Sequence, residues 1–213
     1  MGKFLFLAIL IVSSASMAFA QGADYHKVEV YGGYSHNRVD TGIDDSEPEL
    51  SDIINEREGF HGFDTSASFN VKRYVGLKAD FSYHTKSKNI PVGGTAASLD
   101  IDSSLFNFLG GVQLKDNSKE TTFKPFAHAL VGLAHGKNKV DFSNDFCAAI
   151  FPSPCINDFT ETDTGWAGAF GGGLDIRAGK RIDVRAIQFD YNPTWLFGSR
   201  QDNFRIGAGI VIH

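Results

Sequence analysis

Cysteine, proline, methionine and long apolar runs are scarce here: 213 residues hold two Cys, six Pro, two Met and two Trp. Two cysteines exclude a disulfide-dense scaffold and a cysteine-built zinc site. No segment approaches the roughly 18–20 consecutive apolar residues of a transmembrane helix. Positive charge is in deficit as well. Twenty Lys and Arg stand against 25 Asp and Glu, for a formal charge of -5, without the basic patch of a nucleic-acid binder. What abounds is Phe (19), Tyr (6) and Gly (23), the composition of many strands with glycine at tight places.

The N-terminus, "MGKFLFLAILIVSSASMAFAQG", has one early cation, Lys3, an apolar run from Phe4 to Val12 and the small residues Ala18 and Ala20 flanking Phe19. It reads as a secretory signal peptide over 1–20, with an apolar core too short to span a bilayer. The mature chain, 21–213, is then an exported single domain.

The dominant period is two. In "GFDTSASFNV" Phe63, Thr65, Ala67, Phe69 and Val71 share one face, and Gly62, Asp64, Ser66, Ser68 and Asn70 the other. "YVGLKADFSYH" opposes Val75, Leu77, Ala79, Phe81 and Tyr83 to Gly76, Lys78, Asp80, Ser82 and His84, and "NFRIGAGIVIH" repeats the pattern. Such alternation marks half-buried strands. Eight segments follow it, at about 27–36, 59–71, 74–84, 104–115, 123–135, 164–177, 181–191 and 203–213. Short connections (Lys72-Arg73, "DNSKETT", "AGKR") alternate with longer ones at 37–58, 85–103, 136–163 and 192–202. Short turns on one side and long loops on the other are the layout of an outer-membrane barrel.

Gly171 to Gly173 invite comparison with a phosphate-binding loop, but they lie inside an alternating strand, with no Lys-Ser/Thr after them and no helix to open. They read as places where strands curve and bulky neighbours need room. In "RIDVRAIQFDY" Arg185 and Asp190 have opposite parities; a β-bulge near Ala186-Ile187 restores both to one face.

A soluble cup hides its apolar face inside, whereas a membrane barrel turns it toward lipid. Here the polar face carries charges of both signs: Asp64, Lys78, Asp80, Asp175, Arg177, Arg185 and Arg205. They suit a closed interior in which they pair, and not the wall of an apolar pocket. On the apolar parity, Tyr34, Phe63, Tyr83, Phe106, Trp166 and Phe204 cluster at the long-loop ends, as an aromatic girdle at a membrane interface would.

"GFDTSASFNVKRYVGLKADFSYH", "AFGGGLDIRAGKRIDVRAIQFDY" and "NFRIGAGIVI" resemble the OmpA-like, eight-stranded bacterial outer-membrane β-barrel domain, over nearly all of 21–213. The resemblance implies an extracellular loop crown, no enzymatic activity in most members and insertion by the outer-membrane assembly machinery. That machinery reads a last strand that usually ends in an aromatic residue, where this chain has His213. No peptidoglycan-binding domain is expected after the barrel.

Three other readings compete with this one. A lipid A hydrolase of this shape needs a lipid-facing His with a Ser two residues on, but His128 is followed by Leu130. A narrow porin-like channel requires a water path through the paired plug, and a soluble ligand-binding barrel requires the opposite faces. The seven histidines show no metal-ligand spacing, and no cofactor is expected. The first long loop is acid-rich (Asp40, Asp44, Asp45, Glu47, Glu49, Asp52, Glu56, Glu58) yet lacks a calcium-loop pattern, so it reads as a solvated loop. Cys147 and Cys155, in the longest loop of an exported chain, are expected to form a disulfide.

The expectation is therefore an all-β, eight-stranded antiparallel up-and-down transmembrane barrel, integral to the outer membrane, with a structural or adhesin-like surface role. Its partners would be outer-membrane lipid and lipopolysaccharide, the assembly machinery and an extracellular ligand of the loops, with no nucleic acid.

Overall fold

The computed structural model describes residues 24–40, 57–91, 98–142 and 158–213. The expected signal peptide, most of the acidic first loop and the Cys147–Cys155 pair lie outside the described residues. Eight antiparallel strands form a closed barrel in sequence order: β1 (Val28–Asp40), β2 (Arg57–Lys72), β3 (Val75–Pro91), β4 (Ser98–Lys115), β5 (Phe123–Phe142), β6 (Asp158–Arg177), β7 (Ile182–Leu196) and β8 (Ser199–Ile212). Closure comes from pairing of β8 with β1, from Val30 opposite Ile212 to Arg38 opposite Phe204. No open edge remains, which is what a strand structure needs in a medium without water.

Parity decides what each strand shows. Phe69, Leu77, Phe108, Val131, Phe170, Ile187 and Ile210 are exposed on the outer wall, while Asp64, Asp80, Asp175, Asp190 and Arg205 are buried inside. An outer wall this apolar would aggregate in water but is at home in lipid. That removes the soluble cup, whose faces would be reversed.

Every strand runs on past its expected outer end; β3 reaches Pro91 and β6 begins at Asp158. Above the bilayer the outer face meets water and turns polar (Ser87, Asn89, Asp102, Lys137), so the apolar-out alternation that signals a membrane strand fades. The connection after β7 also differs from the long loop expected at 192–202. Asn192 to Leu196 continue β7, and the turn to β8 is only Phe197 and Gly198, at φ 54° and 77°. Positive φ at both central residues is the hairpin geometry whose twist matches the flanking strands.

The turns at the other end are organised by side chains. The Asp116 carboxylate accepts from the Ser118 amide at 3.1 Å, the Thr121 hydroxyl at 3.0 Å and the Arg73 guanidinium at 2.8 and 3.0 Å. It thereby joins the β4–β5 turn to the β2–β3 turn. The hydrogen bonds from Arg73 hold its carboxyl down at about 2, below the ordinary aspartate value.

The register of β7 slips between Arg185 and Ile187 against β6 and between Arg185 and Gln188 against β8. Ala186 and Ile187 sit in the resulting bulge, so Arg185, Gln188 and Asp190 all face inward. The Gly171–Gly173 run is sheet, paired with Phe126 to His128 on one side and Gln188 to Asp190 on the other. A Cβ at Gly173 would lie 2.9 Å from the Phe126 ring, and one at Gly171 would lie 2.4 Å from an Asp190 carboxylate oxygen. Glycine there makes room for an inward aromatic and an inward acid.

Candidate functional site

The lumen holds the chain's concentrated chemistry, and it changes character along its length. At the turn end, the Lys115 amine bridges Glu29, at 2.9 and 3.0 Å, and Asp175, at 2.8 Å. Lys124 pairs with Asp183 at 2.8 Å. His213 stands between Asp183 at 2.9 Å and Glu29 at 3.2 Å, and its ring stacks on His26 at 3.9 Å.

Further in, Arg185 donates to Asp175 at 2.8 and 3.2 Å and to Gln188 at 2.7 Å. Its guanidinium lies between the Tyr31 and Phe126 rings, 4.0 and 4.2 Å from their centroids. Such a sandwich suits a flat, weakly hydrated cation. Arg205, 1 % exposed, is the hub. It reaches Asp190 at 2.7 and 3.0 Å from β8 to β7, Asp80 at 3.0 Å on β3 and Asp64 at 3.6 Å on β2. Lys78 lies 3.6 Å from Asp80 and 3.3 Å from His128, whose other nitrogen is 2.9 Å from Asp190.

Of the seven charges expected inside, the structure brings Asp64, Lys78, Asp80, Asp175, Arg185 and Arg205 into this network. Arg177 is elsewhere. At the last position of β6 it turns to the rim and donates to the Gly179 and Glu120 carbonyls at 3.4 and 3.2 Å. Sequence reasoning left out Glu29, Lys115, Lys124 and His213, and placed Asp190 inside only through the expected bulge. The four left out have the inward parity of their strands, but each sits near a strand end, where alternation has few residues left to declare itself.

Toward the long-loop end an apolar cluster forms on the β4–β6 side, beside buried neutral polar side chains such as Asn107, Asn192, Thr194 and Asn203. Leu109, Leu130, Ala134, Ala167 and Ala169 line β4 to β6, and Val39, Phe60, Leu105 and Leu196 continue the cluster upward. Small residues on both parities of β5 and β6 had blurred this, since alanine serves either face. Above the cluster a cavity of about 490 Å³ opens outward.

Outside, the ring residues form a ladder. Tyr34, Phe63, Tyr83 and Phe106 are cross-strand partners in series, with Phe63–Tyr83 at 6.0 Å and Tyr83–Phe106 at 4.5 Å. Phe204 opposes Tyr191 at 5.6 Å, and Trp166 is 68 % exposed. Among the described residues no group of His, Cys, Asp or Glu is arranged to hold a metal.

A closed antiparallel barrel, lipid-facing without and ionic within, defines an integral membrane β-barrel. The sequence matches the model of the outer membrane protein beta-barrel domain over residues 4–210, and the chain belongs to that family, whose place is the outer membrane. Among solved structures it is similar to Ail, the attachment invasion locus protein of Yersinia pestis, in complex with the heparin analogue sucrose octasulfate. Identity is 19 %, with 87 % of this chain and 97 % of that one covered and a TM-score of 0.55. A second structure of Ail gives 17 % identity over 87 % and 97 % of the two chains, with a TM-score of 0.53. Neisserial surface protein A matches at 12 % identity over 87 % and 96 %, with a TM-score of 0.48. No curated protein matches the sequence.

Proposed function

We propose that this barrel is a non-catalytic surface protein, a sealed anchor that displays its extracellular loops for binding, after cleavage of the 1–20 signal. The observation that carries this reading is the filled lumen: the paired charges and the apolar cluster occupy the interior up to the outer cavity. An eight-stranded barrel has an interior that side chains can just fill. The lipid A hydrolase reading loses its lipid-facing base, because His128 is buried inside against Asp190 and Lys78.

The outer wall would contact phospholipid and lipopolysaccharide, and the outer-membrane assembly machinery would insert the chain. The Ail complex holds a polysulfated sugar, but the first long loop here is rich in Asp and Glu. A cationic or cation-bridged surface therefore suits this loop better than a polyanion. Single-channel recording of refolded protein in planar bilayers tests the sealed lumen. A flat baseline supports an anchor, and reproducible ion-conducting steps would replace it with the narrow channel.

A further inference from the structure

The turn end of the barrel carries a charge opposite to that of the chain. The β6–β7 turn holds the cations Arg177, Lys180 and Arg181 and no acid, and the β2–β3 turn holds Lys72 and Arg73 and no acid. The exposed acids of this end, Asp24 and Glu120, lie in the segment before β1 and in the β4–β5 turn, which also carry Lys27 and Lys119. Asp116 is held by Arg73 at 2.8 Å. Asp175 and Asp183 point into the lumen, onto Lys115 and Arg185 and onto Lys124 and His213. Among the described residues no acid pairs with Lys180 or Arg181, and the residues before Asp24 contain no acid. An excess of cations at one end of a chain of formal charge -5 makes a local positive field.

These cations sit directly beneath the lipid-facing wall. Ile182 and Ile212 are exposed cross-strand partners that end it, and Arg181 is the next residue below Ile182. One residue past the last acyl-facing side chain is the level of phospholipid headgroups. The turn is also fixed in place. The Ala178 and Gly179 amides donate to the Ile182 carbonyl at 3.0 and 2.9 Å, the Arg177 amide to the Thr122 carbonyl at 2.8 Å, and the His213 amide to the Arg181 carbonyl at 3.0 Å. A ligand met by a preformed turn has no loop to order. A Cβ at Gly179 would meet nothing within 4 Å, so the approach beside Lys180 is open.

We propose that the β6–β7 turn binds the headgroup of an anionic phospholipid through Lys180 and Arg181, while the acyl chains lie on Ile182 and Ile212. The headgroup it fits is a phosphodiester with no amine of its own, of the phosphatidylglycerol kind. A zwitterionic headgroup brings a cation that Lys180 and Arg181 repel, whereas a glycerol headgroup brings none. The site deepens the reading of a membrane anchor and rests on it for the periplasmic side of the turns. Conductance plays no part in its readout, so the two can fail separately.

The experiment uses the full chain in phosphatidylcholine vesicles. Trp166→Phe and Trp195→Phe remove the native indoles, and Val184→Trp then reports on lipid beside the turn. Brominated phosphatidylcholine quenches that reporter, and relief by unbrominated phosphatidylglycerol or phosphatidylcholine gives their relative affinities. Heat-modifiable mobility on gels confirms that each variant is folded. Phosphatidylglycerol should be preferred about fivefold at low salt, near the value of one surface cation, and the preference should fade in about 0.5 M salt. Lys180→Gln with Arg181→Gln should bring the ratio close to one, whereas Lys180→Arg should keep it. Lys72→Gln, on the far side of the barrel, should leave it unchanged, and a chain keeping only Trp166 should report no preference at the other end. A ratio of one in the parent, an undiminished ratio in the folded double variant, or an equal preference at Trp166 would each overturn the proposal. So would retention of the parent, but not of the double variant, on isolated peptidoglycan with no lipid preference, which would give the turn to the cell-wall polymer.

Discussion

The two ends of the barrel interior share one sheet and one inward parity, yet the lower is bound by ions and the upper joins an apolar cluster to neutral hydrogen-bonded side chains such as Asn192, Thr194 and Asn203. From the turn end up to the aromatic girdle, Arg205, Arg185, Lys78, Lys115 and Lys124 are matched by Asp64, Asp80, Asp190, Asp175, Glu29 and Asp183. At the loop end, Val39, Phe60, Leu105 and Leu196 meet one another. The charged part lies inside the lipid-embedded span, where an inward apolar lining would leave the barrel greasy on both faces and indifferent to which one turned out. The upper part of the apolar cluster, Val39, Phe60 and Leu196, lies where the strands leave the membrane, and there inward hydrocarbon and outward polarity follow the rule of a water-soluble fold. The barrel thus obeys membrane logic below and soluble logic above.

The largest expected break in that comparison is Arg205→Leu. It leaves Asp64, Asp80 and Asp190 without their shared cation and should cost roughly 3–5 kcal/mol in urea unfolding from liposomes. In the apolar part Leu130→Ala should cost about 3 kcal/mol by leaving a cavity, with little dependence on salt or pH. On the outer wall Ile206→Arg should cost about 2 kcal/mol. It lies two residues from girdle Phe204, between the full midplane penalty and the small interfacial one. A harmless Ile206→Arg together with a stabilising Arg205→Leu would mean the two faces are reversed.

A smaller effect concerns pH at the turns. Asp116 is depressed in the folded state to about 2 from an ordinary 3.8, so its contribution is present above pH 4 and is lost as pH falls through 2. Asp116→Asn should therefore be less stable than wild type at neutral pH, and the difference should shrink between pH 4 and 2. A gap that persists unchanged at pH 2 would show that the turn depends on shape and not on charge. The smallest effect on the barrel concerns Cys147 and Cys155. A disulfide closing so short a loop restricts the unfolded chain by about 2–3 kcal/mol at most, so reduction should hardly move barrel unfolding. Thiol reagents should label intact cells only after reductant, and labelling without it would mean two free thiols.

The membrane span was legible in the sequence because lipid imposes a strict rule: Phe69, Leu77 and Ile210 could only face out, and Asp64, Asp80 and Arg205 only in. The bulge at Ala186–Ile187 was legible for the same reason, since Arg185 and Asp190 could share a lumen no other way. What lies above the bilayer was not. Pro193 fell in the loop expected at 192–202, although it stands in β7 opposite Asp202. Phe197 gave no turn signal because hairpins with both φ values positive are recognised by Asn and Gly. The apolar cluster hid behind Ala134, Ala167 and Ala169, residues with no strong preference between oil and water.

The position of Arg205 on the last strand ties neutralisation of the lumen to closure of the barrel. Its carboxylates belong to β2, β3 and β7, and without β8 in place they share a lumen short of its central cation. The seam between β1 and β8 therefore shuts at the same moment as the charge balance is completed. A barrel missing its final strand is not a slightly weaker barrel but one with its acids turned against each other, so finishing is what makes the first seven strands compatible.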